Sequence, residues 1–221
     1  MWKSDCITKF QSPFDRNMVC VGDSITVGVG ATVPYPTLIA AALSITASNQ
    51  GVSSAGWAQD PGGGSLTARA PTTVDPLLAS LAIQGQPPTL VLFAGTNDIA
   101  LGGLTGAQTF TLFQTYAYAR QTFGWSFGSF VVATMLPRQD ATEGNRSAYN
   151  NALVSWCSAN NVACARLDLD SNIGVAGAYN NATYYQQPQP NPHPTNAGLR
   201  IIANLVCGAV ANHVRTCPSY S

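Results

Sequence analysis

Short apolar runs alternate with longer helical patterns along this chain, and that alternation constrains the fold more than any other feature. Residues 18–22, 44–47, 89–94, 129–135 and 162–167 read as strands bounded by turn residues. Residues 36–43, 74–84, 104–123 and 146–160 carry helical patterns, and Thr195 caps a last helix running through residue 211. Strands separated by helices predict an α/β fold with a parallel sheet covered on both faces. Right-handed crossovers then gather the loops that follow the strands at one edge of the sheet. Residues 51–73 and 172–194 read as loops, the first as too polar for the core. The 221 residues suit one domain, and no charged or low-complexity linker divides them.

Four residues with chemical potential follow predicted strands. Ser24 sits on a strand-to-helix turn, which exposes its oxygen and leaves its own N–H near a helix start, where negative charge is stabilised. A serine there also serves as a plain helix cap. Asn97 ends the strand 89–94, and its amide can donate into an oxyanion site or close an Asx turn. Gly51 offers an unobstructed backbone N–H, or an ordinary turn. His193, one of two histidines, is the candidate base that a serine alcohol needs, or a loop histidine held between prolines. His213 falls in the final helical stretch and reads as structural.

In order along the chain, Gly22-Asp23-Ser24-Ile25, Gly51, Gly95-Thr96-Asn97-Asp98 and His193-Pro194 resemble the SGNH/GDSL hydrolase (esterase) family. The resemblance covers essentially the whole chain, with its core at residues 18–212. It implies a three-layer α/β/α sandwich around a five-stranded parallel, flavodoxin-like sheet. It also implies Ser24 as nucleophile and His193 as general base and acid. The oxyanion hole would be the Ser24 N–H, the Gly51 N–H and the Asn97 side chain, with Asp23 structural.

One position departs from the family pattern. An aspartate is usual three residues before the histidine, and Pro190 stands there. That acid normally orients the imidazole and stabilises its protonated form. The expected arrangement is a Ser24–His193 dyad oriented by the Pro190 carbonyl, with Asn191 or Asp170 as rivals. Asp168 and Asp170 are the nearest upstream carboxylates.

The implied chemistry is hydrolysis of short acyl, acetyl-type esters through an acyl-enzyme, on a small molecule or a carbohydrate. Trp57, Tyr184 and Tyr185, with Gln59 and Gln186, mix ring faces and amides as sugar sites do. The alternatives are a general short-chain carboxylesterase and a non-catalytic carbohydrate-binding or virion module that keeps the fold. No metal or organic cofactor is implied, and a monomer is expected.

Formal net charge is zero, which gives no electrostatic footprint for nucleic acid or an anionic membrane. No run of apolar residues is long enough to span a bilayer. Charged residues make up 9% of the chain, against about a quarter in ordinary domains, and amides and hydroxyls replace them. That composition, with six cysteines, suggests an extracellular or otherwise exported protein, although the first residues lack a signal segment. The cysteine spacing predicts bridges Cys6–Cys20, Cys157–Cys164 and Cys207–Cys217, with buried free thiols as the other reading.

Overall fold

A computed structural model describes residues 17–83, 88–121, 130–189 and 193–216. Five parallel strands form one sheet in the order β2-β1-β3-β4-β5. They are β1 (Asn17–Gly22), β2 (Thr46–Gly51), β3 (Thr89–Phe93), β4 (Phe130–Ala133) and β5 (Ala163–Ala165). This is the flavodoxin-like order implied above. The helices are α1 (Ser24–Val27), α2 (Tyr35–Leu43), α3 (Leu66–Arg69), α4 (Val74–Ile83), α5 (Thr96–Ala100), α6 (Gly106–Gln121), α7 (Glu143–Ala159) and α8 (Asn196–Thr216).

Two hydrophobic clusters, one on each face of the sheet, make the three layers. Alternate residues of a strand point to opposite faces. Val19, Val21, Leu90, Leu92, Phe130 and Val132 therefore join Leu78 of α4, Phe113 and Tyr116 of α6 and Leu153 of α7 in one cluster. Met18, Cys20, Val91, Phe93, Val131 and Ala133 join Ile39 of α2 and Ile202 and Val206 of α8 in the other. The central strands β1, β3 and β4 are covered on both sides, which explains their continuous apolar runs. Edge strand β2 is polar and half-exposed, and its pairing with β1 extends it to Gly51, beyond the expected residue 47.

Residues 51–73 differ from the expectation of a surface loop. Ala55, Trp57, Leu66 and Ala70 are buried in the first cluster, and α3 lies within the segment, capped by Ser65. Trp57 is fully buried, packs on the rings of Phe113 and Tyr116, and donates through Nε1 to Tyr149 Oη. A few anchoring side chains are enough to bury a polar-looking segment when its backbone groups are satisfied. Asp98 satisfies them here. Its carboxylate accepts the Trp57 N–H at 2.7 Å and the Ala58 and Gln59 N–H groups at 2.9 Å.

The expected cysteine bridges are largely overturned. Cys20, Cys157 and Cys164 are free thiols, so neither Cys6–Cys20 nor Cys157–Cys164 forms. Cys20 is fully buried in central strand β1, hydrogen-bonded to Tyr35. The Cys157 thiol hydrogen-bonds Cys164, which together with burial keeps it protonated. Of the third expected bridge, Cys207 is disulfide-bonded, and Cys217 lies outside the described residues. No described helix is long and apolar enough to cross a membrane.

Candidate active site

The carboxyl ends of β1, β3 and β4 and the loop before α8 meet at one edge of the sheet. β1 ends at Gly22, where only glycine fits: an added Cβ would lie 2.0 Å from Thr26 Oγ1 and 2.3 Å from the Phe93 carbonyl. Asp23 follows as the cap of α1, its carboxylate accepting the Ile25 N–H at 2.9 Å. That cap turns the chain sharply and sets Ser24 at the first position of α1. Asp23 is buried, and burial pushes its carboxyl up to about 7 against the opposing pull of the Ile25 N–H and the Arg138 charge.

Ser24 keeps a small exposed surface, and its Oγ lies 2.9 Å from His193 Nε2. His193 is half-buried. Burial, and then the nearby positive charge of Arg138, hold its pKa below the ordinary 6.5. A neutral imidazole in hydrogen-bond contact with a serine hydroxyl is the geometry of a base and its nucleophile.

β3 ends at Phe93, and Gly95, with a left-handed φ of 114°, turns the chain into α5. Asn97 stands in the first turn of that helix and is almost fully buried. Its Nδ2 donates to the Ala55 carbonyl at 2.9 Å, and its Oδ1 accepts from Arg138 Nη1 at 2.8 Å.

A sequence profile of the GDSL-like Lipase/Acylhydrolase family matches residues 20–201. The chain belongs to that family. This GDSL hydrolase is thus a carboxylic-ester hydrolase. Its fold matches a lipase/acylhydrolase from Enterococcus faecalis with a TM-score of 0.66 at 14% identity, covering 93% of this chain and 100% of that one. TesA matches at 0.64 and 18% identity, over 89% of this chain and 99% of that one. A carbohydrate acetylesterase family member from Sinorhizobium meliloti matches at 0.63 and 12% identity, over 90% and 99%. No curated protein sequence matches the chain.

The structure places the hydrolase's other expected site residues unevenly. The Gly51 N–H is already taken by Asn49 Oδ1 at 3.0 Å, within the turn that ends β2. A few residues on, Ser54 adopts a left-handed φ of 62° just before Ala55, and its N–H has no partner among the described residues. Asp168 is engaged by Arg166 and by Thr134 Oγ1, and Asp170 accepts the Asn172 and Ile173 N–H groups. Asp168 is therefore committed to Arg166 and to Thr134 beyond β4, and Asp170 to its own turn. Pro190 and Asn191 lie outside the described residues.

The expected sugar-stacking set does not survive folding. Trp57 belongs to the core, as shown above. Tyr185 is also fully buried, its hydroxyl donating to the Ile173 carbonyl at 2.6 Å. Tyr184 alone keeps partial exposure. Gln186 is structural: its Nε2 donates to the Val29 and Pro194 carbonyls, tying the histidine loop to the turn after α1. Arg138 was not expected at the site at all. It follows β4 with no motif around it, and only the sheet order brings it beside Asn97.

Proposed function

We propose that the protein is a serine esterase acting on short acyl esters through a Ser24 acyl-enzyme. The observation that carries this reading is the 2.9 Å contact between Ser24 Oγ and His193 Nε2 at the start of α1. His193 takes the Ser24 proton as Oγ attacks the ester carbonyl, and then returns it to the departing alcohol oxygen. A water deprotonated by His193 attacks the acyl-enzyme, which releases the carboxylic acid and restores Ser24.

The oxyanion is held by the Ser24 N–H and by the Asn97 Nδ2 proton that Ala55 does not occupy. A second backbone donor comes from the turn after β2, where the Ser54 N–H is free while that of Gly51 is engaged. Ser24 and His193 are read as a dyad, since Asp168 and Asp170 are engaged elsewhere.

Ile25, Phe93, Ala94 and Met135, with Arg138, line a cavity of only about 10 Å³ beside Asp23 and Thr96, room for a water and not for a long acyl chain. With Trp57 and Tyr185 in the core, Tyr184 alone of the three expected rings is left for a sugar to stack on. The geometry thus favours a general short-chain carboxylesterase over a dedicated sugar deacetylase.

The test is hydrolysis of p-nitrophenyl esters of rising chain length beside a panel of acetylated glycans, with wild type and Ser24→Ala. Wild type should be fastest on acetate or propionate, and Ser24→Ala should fall to background. Equal rates in the two proteins would remove the serine-esterase reading. Glycan turnover well above that of the p-nitrophenyl esters would restore the sugar substrate.

A further inference from the structure

We infer that Arg138 is the positioning residue of the oxyanion site, holding the Asn97 amide in the one orientation that aims Nδ2–H at the reacting carbonyl. The inference rests on the serine-esterase reading and adds a residue that the motifs do not contain. A guanidinium can only donate hydrogen bonds and a backbone carbonyl can only accept them. Asn97 lies between one of each, with Arg138 Nη1 at 2.8 Å from Oδ1 and the Ala55 oxygen at 2.9 Å from Nδ2. A flipped amide would set its N–H groups against the guanidinium and its oxygen against the Ala55 oxygen. Both ends would then lose a bond in a buried place, where an unmade bond is expensive.

The charge also acts on the chemistry of the amide. A cation on Oδ1 draws electron density toward that oxygen and makes the remaining Nδ2 proton a stronger donor. The support beneath Arg138 is rigid. Asn150 of α7 brackets Met135, accepting its N–H at 2.7 Å and donating to its carbonyl at 3.0 Å. Arg146 donates to the same carbonyl. Asp140 completes the clamp, accepting from Arg138 Nε at 2.6 Å and from Nη2 at 2.5 Å.

The charged groups around the site are Asp23 at the α1 cap, Asp98 in α5, and the Arg138–Asp140 pair after β4. Arg138 is the one whose charge bears on His193 and lowers its pKa. Removing it should therefore raise that pKa, an effect a purely structural role would not produce.

The test compares Arg138→Met, Arg138→Gln and Arg138→Lys with wild type and Ser24→Ala on p-nitrophenyl acetate. Arg138→Met should lose about 10²-fold in kcat, as expected for one misaligned oxyanion donor, with KM nearly unchanged. The acid limb of its kcat/KM profile should move to higher pH, and added guanidinium ion below denaturing levels should restore part of kcat. Arg138→Lys, which keeps charge and donor, should retain most activity. Arg138→Gln decides the matter should the Met variant not fold. A near-wild-type kcat overturns the inference, and so does a lowered kcat with an unmoved acid limb and no rescue. An active Ser24→Ala protein would instead sink the esterase reading itself.

Discussion

His193 Nε2 stands 2.9 Å from Ser24 Oγ, although 169 residues of chain separate the two. Asp23 caps α1 beneath the serine, and Gln186 ties the histidine loop to the turn after that helix. The pair is therefore set from both sides by hydrogen bonds to the same short segment, residues 23–29.

The first consequence is a pH profile. His193 must be neutral to accept the Ser24 proton, and burial and Arg138 favour the neutral form. Because its pKa is lowered, kcat/KM should rise with an inflection below pH 6.5 and be level by neutrality. Esterase assays between pH 4 and 9 measure this, and an inflection above 7 would contradict the geometry.

Asp23 gives a stability signature of opposite sense. Its folded pKa of about 7 lies above the ordinary 3.8, so between those values the folded state holds a proton that the unfolded state has released. Stability should therefore fall as pH rises through that window, by up to about 1.4 kcal/mol per pH unit. Asp23→Asn, which can still cap α1 through its amide oxygen, should flatten the decline in urea unfolding measured at pH 4 to 7.

Asp98 should prove structurally indispensable. Replacing it with alanine leaves the N–H groups of Trp57, Ala58 and Gln59 without their acceptor. The expected loss is about 3 kcal/mol or more by chemical denaturation. Faster proteolysis within residues 56–64 should accompany it.

Asp168→Asn and Asp170→Asn should each keep most esterase activity, because Asp168 is engaged by Arg166 and Thr134 and Asp170 by its own turn. Steady-state kinetics on p-nitrophenyl acetate decide it. A loss of about 10²-fold or more in either would show that the carboxylate serves His193 after all.

The legible part of the site was the part built from local geometry. Gly22-Asp23-Ser24 is readable because a strand turning directly into a helix needs a glycine and a cap at adjacent positions. Gly95 is readable for a related reason, since its left-handed φ of 114° makes the turn into α5 after β3. Trp57 and Tyr185 were misread because an aromatic in a polar loop looks like a ligand platform until packing is known. Each in fact anchors its loop to the core, Trp57 through Tyr149 and Tyr185 through Ile173. The Gly51 N–H was misread because only the turn geometry after β2 brings Asn49 Oδ1 onto it.

Hydrophobic periodicity and turn chemistry are short-range properties, so they were enough for the alternating elements, the parallel sheet and the order of the reactive blocks. Contacts between strands distant in sequence have no local signature. The environment of Asn97 belongs to that second class: Arg138 lies 41 residues away, and only the pairing of β3 with β4 sets its guanidinium on the amide. The free state of Cys157 and Cys164 is likewise a tertiary outcome, since spacing alone makes them look like a bridge. The candidate residues Ser24, Asn97 and His193 stand in the motifs, while their orientation and electrostatics came from packing across the sheet.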